Sequence, residues 1–231
     1  MFKRKILSKL EAWKQDERHK PLILRGARQV GKTTVVNEFS SQFDNYLYFN
    51  LEMSESVRLF EMDIPLNDLV NMLFASLGKP QKEGSTLIFI DEIQNSPKTI
   101  ALLRYFYEQR PDLYVIAAGS LLENLVDVNV SFPVGRVMYL ALRPCSFYEF
   151  LGAIGKNNLL TILSQKAEYS IAFHEQLMHQ FNQYTIIGGM PEAVQHYAET
   201  QDIIAIEDVY ETLVQAYKDD SEKYARSNKL T

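Results

Sequence analysis

The chain has 231 residues, of which 46% are apolar and 23% charged, a composition that excludes a disordered or collagen-like protein. No apolar run approaches the ~18 residues of a membrane-spanning helix, and the single cysteine, Cys145, excludes an intrachain disulfide, so we expect a cytoplasmic protein without a membrane span. The formal net charge is −5, yet residues 1–36 hold ten lysines or arginines against three acids, which indicates an anionic ligand near the amino terminus.

Apolar spacing predicts alternating strands and helices over the first two thirds of the chain. We expect helices at residues 6–13, 33–39, 65–78 and 96–108, and strands at 22–24, 46–50, 87–90, 113–118 and 137–142. Strands that are apolar throughout, such as 87–90, are typical of a parallel sheet covered on both faces. The alternation therefore indicates a three-layer α/β fold with a parallel sheet.

From residue 157 onward, only helical apolar spacing remains. It predicts helices around residues 173–181, 193–197 and 206–217. We therefore expect two domains, which are a sheet domain with its amino-terminal helix at residues 1–155 and a helical domain at residues 156–231.

A glycine-rich loop lies between the first predicted strand and the following helix. It fits the pattern G-x-x-x-x-G-K-[ST] with the residues Gly26, Ala27, Arg28, Gln29, Val30, Gly31, Lys32 and Thr33. The glycines let the backbone wrap around a phosphate, the N–H groups from Gln29 to Thr34 point inward, and the helix dipole adds positive potential. With Lys32 as the mobile charge, the loop predicts binding of ATP or ADP. The alternative is an ordinary helix start that happens to contain a lysine.

Two acids follow directly after the apolar strand at residues 87–90. Mg²⁺ takes oxygen ligands, and we expect the Thr33 hydroxyl and the Asp91 carboxylate to hold it. A carboxylate at Glu92 can accept a proton from a water that attacks the γ-phosphate, which predicts hydrolysis. On the alternative interpretation, Asp91 and Glu92 only begin a polar loop.

These motifs resemble those of P-loop ATPases of the additional-strand class, and within it a group of uncharacterised prokaryotic AAA-type ATPases. The resemblance covers nearly the whole chain and rests on residues 25–34, 87–94, 118–120, 135–137, 144–150 and 188–191. It implies a P-loop NTPase sheet of order 5-1-4-3-2, followed by a helical lid. Such proteins continue into a winged-helix region and a nuclease-like domain, so we expect the chain, which ends at Thr231, to be truncated.

The same resemblance implies roles for three further residues. Ser120 takes a sensor position that contacts the γ-phosphate or the attacking water, with capping of the strand as the alternative. Pro191 corresponds to a lid proline that packs on adenine. On the alternative interpretation, Pro191 only begins a helix. Arg136 is expected to contact the nucleotide of its own or a neighbouring subunit, or else to form a structural ion pair.

Three functions fit these features. The first is a Mg²⁺-dependent ATPase coupled to a conformational switch, with four catalytic residues: Lys32, Glu92, Ser120 and Arg136. The second is a nucleotide-operated binding module with negligible hydrolysis. The third is a small-molecule P-loop kinase, which the lack of arginine between residues 150 and 225 disfavours. A protein client and a homo-oligomer are the partners to expect, whereas the pI near 5.5 does not indicate nucleic-acid binding.

Overall fold

The computed structural model describes residues 2–119, 133, 135–165 and 170–227. In this part of the chain, residue contacts define two compact units. The sheet unit is Lys5–Arg143, and the helical unit consists of residues 2–4 together with those from Pro144 onward. None of the helices described here is both long and apolar enough to cross a lipid bilayer.

The sheet unit is built on five strands, and every neighbouring pair runs parallel. The strands are β1 (Leu22–Arg25), β2 (Asn45–Asn50), β3 (Thr86–Asp91), β4 (Leu113–Gly119) and β5 (Met138–Ala141). Their order is β2-β3-β4-β1-β5, which confirms the predicted α/β fold and the order 5-1-4-3-2 read from the other edge. The carboxyl ends of all strands therefore share one edge of the sheet, where ligands of such folds bind.

Helices cover both faces of this sheet. They are α1 (Ile6–Gln15), α2 (Lys32–Ser40), α3 (Ser54–Phe60), α4 (Leu66–Ser76) and α5 (Pro97–Gln109). On β3, Ile88 and Ile90 join an apolar cluster with residues of α4 and α5. Leu87 and Phe89 point to the opposite face, where α2 contacts the sheet, and are equally buried. This two-sided burial explains why residues 87–90 of β3 are all apolar.

Most elements of the sheet unit lie where apolar spacing predicts them, but two short elements of this unit have no predicted counterpart; α6 (Phe147–Ala153) and α7 (Asn157–Gln165) of the helical unit have none either. One is α3, in which Phe60 is the fully buried residue, so no apolar repeat marks the helix. The other is a 3₁₀ turn at Ile93–Asn95, directly after Glu92. Both lie close to the carboxyl edge of the sheet, where chain direction changes over a few residues.

The helical unit contains five α-helices in its described part, and a 3₁₀ turn at Ile204–Ile206 precedes the last of them. They are α6 (Phe147–Ala153), α7 (Asn157–Gln165), α8 (Ile171–Ile187), α9 (Pro191–Thr200) and α10 (Glu207–Ser227). Phe150 of α6 packs in an apolar cluster with Ile187 and Val194. For this reason, contacts divide the chain before α6, whereas the boundary predicted from the sequence lies after residue 155.

A capping box and a buried ion pair fix the start of α6. Ser146 Oγ accepts from the Glu149 N–H, while Glu149 Oε2 accepts from the Ser146 N–H at 2.8 Å. The other carboxylate oxygen of Glu149 accepts from Arg4 Nε at 2.9 Å, and the Arg4 and Glu149 side chains are 6% and 11% exposed. The ion pair thereby joins residues 2–4 to α6.

The connection between α8 and α9 docks on the segment before α6. Gly189 O accepts from the Cys145 N–H at 2.6 Å, and the Tyr184 hydroxyl donates to Cys145 O at 2.7 Å. A Cβ on Gly189 would collide with the Cys145 carbonyl oxygen, so close packing requires glycine there. Cys145 is buried, and burial raises the pKa of its thiol to about 11.

Candidate functional site

The glycine-rich loop at residues 26–31 leaves the carboxyl end of β1 and leads directly into α2. Two of its residues have left-handed backbones, namely Gln29 with φ 60° and Gly31 with φ 87°. Positive φ is uncommon for a residue other than glycine. Turns of this kind direct successive N–H groups into one concavity that can hold an anion, and the positive end of the α2 dipole lies at the same place. The backbone thus has the geometry of an anion-binding loop.

Gly26 begins this loop, and its lack of a side chain has a packing cause. A Cβ on Gly26 would collide with the carbonyl oxygen of Leu142 and press on Val30. Leu142 is held there because its N–H donates to Arg25 O at 2.7 Å, which continues the pairing of β1 with β5. The first glycine of the motif is therefore required by the sheet as well as by any ligand.

Lys32 is the first residue of α2, and only 7% of it is exposed. Its Nζ donates to the carbonyl oxygens of Gly26 and Ala27, both at 2.9 Å, so the ammonium lies over the loop. Burial lowers the pKa of Lys32, and the nearby carboxylates of Glu92 and Asp91 oppose that shift. A cation and two acids therefore lie within electrostatic reach of one another.

Thr33 and Asp91 are 58 positions apart in the chain, yet Thr33 Oγ1 donates to Asp91 Oδ2 at 2.6 Å. They meet because β1 and β3 are parallel and end at the same edge of the sheet. Asp91 is 4% exposed, so its carboxylate is largely withdrawn from water. The structure thus brings together the two residues that the sequence predicts as a magnesium site.

This pair fits Mg²⁺ in its donor chemistry, because hydroxyl and carboxylate oxygens are the ligands that the ion prefers. Within the described residues, no group of three or more His, Cys, Asp or Glu side chains could hold a metal. Mg²⁺ commonly takes one or two protein ligands and completes its shell with phosphate and water oxygens. Thr33 and Asp91 are the residues that would hold it.

Glu92 follows Asp91 with a left-handed backbone, φ 53° and ψ 44°, and leads into the 3₁₀ turn. Its N–H donates to Asp91 Oδ1 at 3.0 Å, and its Oε2 accepts from Gln94 Nε2. Gln94 lies in the motif at residues 87–94, but the sequence alone predicts no role for it. Sequence reasoning missed the role of Gln94 because apolar spacing does not reveal so tight a turn.

Arg136 lies away from this site. Its Nε donates to Glu108 Oε1 at 2.5 Å, and the same oxygen accepts from Arg104 Nε at 3.0 Å. Because β5 pairs with β1 along its length, the residues before β5 lie at the amino-terminal edge of the sheet, roughly 10 Å from the edge that holds the loop. The structure does not bring Arg136 to the loop of its own chain and shows the alternative, a structural ion pair. Contact with a neighbouring subunit stays a prediction.

The roles of two further predicted site residues stay predictions. Ser120 lies outside the described residues. Pro191 is the first residue of α9 in the helical unit, which agrees with its interpretation as a helix start, and its contact with adenine stays a prediction.

Family profiles match both parts of the chain. The profile described as AAA domain matches residues 18–151, a range that includes the loop, both acids and all five strands. A second profile, described as a domain of unknown function (DUF8612), matches residues 178–231. No functionally curated protein has a significantly similar sequence.

Two solved structures are similar in fold. The Walker-type ATPase PABY2304 of Pyrococcus abyssi has a TM-score of 0.57 and 18% identity, covering 98% of this chain and 76% of its own. The structure of Drosophila ORC bound to DNA has a TM-score of 0.50 and 15% identity, covering 83% of this chain and 58% of its own. At these identities the similarity concerns the fold.

Proposed function

The chain belongs to the AAA domain family, and we propose that it binds ATP with Mg²⁺ and hydrolyses it. The contact between Thr33 and Asp91 carries the proposal, because it joins a hydroxyl at the start of α2 to a carboxylate at the end of β3. Both lie beside a loop suited to phosphate. Burying the charges of Lys32 and Asp91 costs folding free energy, which a binding role for both groups explains.

Each residue has a distinct part in the proposed reaction. The loop N–H groups and Lys32 hold the phosphates, and Thr33 and Asp91 hold the ion. When bound, Mg²⁺ neutralises charge on the phosphate oxygens. Glu92 is half-buried, lies within electrostatic reach of Lys32, and accepts the proton of the attacking water. The role of Ser120 as a sensor of the γ-phosphate is kept as a prediction.

Variants at the magnesium pair test the proposal. Thr33→Val keeps the shape of the side chain without its hydroxyl, and Asp91→Asn removes the charge. We expect both to lower Mg²⁺-dependent phosphate release by about tenfold or more, while ATP affinity measured in excess EDTA stays at the parent value. A higher Mg²⁺ concentration should partly restore phosphate release by Asp91→Asn.

The matched control is Thr161→Val, which makes the same change at an exposed position of α7. It should release phosphate at the parent rate. If Thr33→Val has the parent's dependence on Mg²⁺ concentration, the magnesium assignment is wrong.

A nucleotide-operated binding module is the second candidate, and the division of the chain into two compact units favours it. A protein of two units can couple nucleotide binding to a conformational change without rapid turnover. Single-turnover phosphate release separates the two functions. Tight Mg²⁺-dependent ATP binding without phosphate release over hours would favour the module, and release that needs Glu92 would favour the ATPase.

A further inference from the structure

We propose that Gln94 is a positioning residue that holds the Glu92 carboxylate toward the phosphate-binding loop. The inference rests on the proposed function and deepens it, because it assigns a residue that makes the general base effective. Its geometric basis is the hydrogen bond that Gln94 Nε2 donates to Glu92 Oε2. The Glu92 side chain has rotatable bonds, so without such a contact its carboxylate would sample several directions.

The turn that carries Gln94 is held at both ends. Ile93 is 1% exposed within the main apolar cluster, and Ser96 is fully buried as the N-cap of α5, where its Oγ accepts from the Thr99 N–H. Ser96 Oγ also donates to Glu61 Oε1 at 2.9 Å. The amide of Gln94 therefore projects from a fixed backbone, as a positioning group must.

The amide itself has one workable orientation. Its Nε2 faces the Glu92 carboxylate, and rotating the amide by half a turn would place Oε1 against that negative charge. Within the described part of the chain, Gln94 Oε1 is buried and has no hydrogen-bond partner. A buried acceptor left without a partner is unfavourable, and an apolar side chain of the same length would avoid that cost. The contact of Gln94 with Glu92 explains why an amide stands here.

Two hydrogen bonds tie the backbone of Glu92 to the end of the phosphate-binding loop. The Glu92 N–H donates to Asp91 Oδ1 at 3.0 Å, and Asp91 Oδ2 accepts from Thr33 Oγ1 at 2.6 Å. The carboxylate that Gln94 holds therefore belongs to a residue anchored at the same edge of the sheet as the loop.

Steady-state kinetics of Gln94→Met test this role, because methionine has a similar length and no amide. We expect kcat for ATP hydrolysis to fall about ten- to hundredfold, since small misplacement of a reacting group has effects of this size. The KM for ATP and the affinity for a non-hydrolysable analogue should stay at the parent values. Asn95→Ala is the matched control, an exposed position in the same turn, and should keep the parent kcat.

A double-mutant cycle separates positioning from a general structural effect. If Gln94 acts through Glu92, Gln94→Met should leave the residual single-turnover rate of Glu92→Gln unchanged, whereas a structural defect would lower the rate in both backgrounds. Gln94→Glu, which puts a like charge beside Glu92, should lower kcat further than Gln94→Met and carries the test if the methionine variant does not fold.

The outcomes distinguish this inference from the proposed function. An active parent together with a Gln94→Met variant whose kcat equals or exceeds the parent value would overturn the positioning role alone. A parent that releases no phosphate with Mg²⁺ and ATP would overturn the proposed hydrolysis, and the role of Gln94 with it.

Discussion

Two regions of the molecule are rich in short sequence motifs, and they use their polar groups differently. In the sheet unit, the first residues of α2 and the acids at the end of β3 place a lysine, a hydroxyl and two carboxylates beside the loop at residues 26–31. In the helical unit, the segment at residues 144–150 and the connection at residues 188–191 are equally distinctive in sequence. There, however, Glu149 caps α6 and forms a buried ion pair with Arg4, and Gly189 packs on Cys145.

This difference shows that a distinctive motif marks a position with strict requirements. The motif alone does not show whether the requirement is for folding or for chemistry. In the sheet unit, the left-handed backbones of Gln29 and Glu92 and the buried charges of Lys32 and Asp91 cost stability. In the helical unit, caps, close backbone approach and a paired charge stabilise the packing. Substitutions should therefore affect chemistry in the first region and folding in the second.

The largest effect is expected at Glu92. Glu92→Gln keeps the shape of the side chain and removes the proton acceptor, so hydrolysis should fall by about 10²–10⁴-fold while ATP affinity is retained. Phosphate release and calorimetric ATP titration on the same preparation would measure both quantities. A variant that hydrolyses ATP as fast as the parent at every Mg²⁺ concentration would leave Glu92 as an ordinary loop carboxylate.

Glu149 should show the opposite pattern. Glu149→Gln keeps a residue suited to the capping box but removes the negative charge of the buried ion pair with Arg4, which should cost about 3 kcal/mol in the free energy of unfolding. ATP affinity of the folded variant should be unchanged. Glu175→Gln, at an exposed position of α8, is the control for denaturant unfolding. Equal stability of the Glu149 and Glu175 variants would contradict a folding role for the pair.

Lys32 should affect ligand binding. Lys32→Ala removes a charge-assisted contact with phosphate worth ~1.5–3 kcal/mol, so ATP affinity should fall roughly ten- to more than a hundredfold. Lys9→Ala makes the same change on an exposed face of α1 and should bind ATP as the parent does. Calorimetric titration decides the matter, and parent affinity in a folded Lys32→Ala protein would mean that the loop does not hold phosphate.

The smallest effect is expected at Cys145. Burial raises the pKa of its thiol from 9.0 to about 11. As the pH rises, the thiol of the unfolded chain loses its proton before the thiol of the folded chain does. The contribution of the protonated thiol to the free energy of unfolding is therefore complete below about pH 9 and is lost as the pH rises toward 11. Denaturant unfolding of parent and Cys145→Ala across this range should therefore show a steeper loss of stability in the parent. Parallel curves would show that the thiol does not contribute.

Sequence patterns predict most of the sheet unit because they report local properties. Apolar runs such as Leu87–Ile90 show that a strand is buried on both faces, and the spacing of Gly26, Gly31 and Lys32 specifies a phosphate loop. Both signals lie within a few neighbouring residues. The short helix α3 and the turn after Glu92 escape prediction because they have no repeat from which to infer them.

By itself, the sequence determined the α/β class, the identity of the loop and the two acids. Only the tertiary structure decided that Thr33 meets Asp91, that Gln94 contacts Glu92, that Arg136 lies at the opposite edge from the loop, and that Arg4 pairs with Glu149. The physical reason is that periodicity and spacing record which face of an element is buried. Which side chains meet depends on strand order, register and backbone turns, and these bring together residues 58 and 145 positions apart.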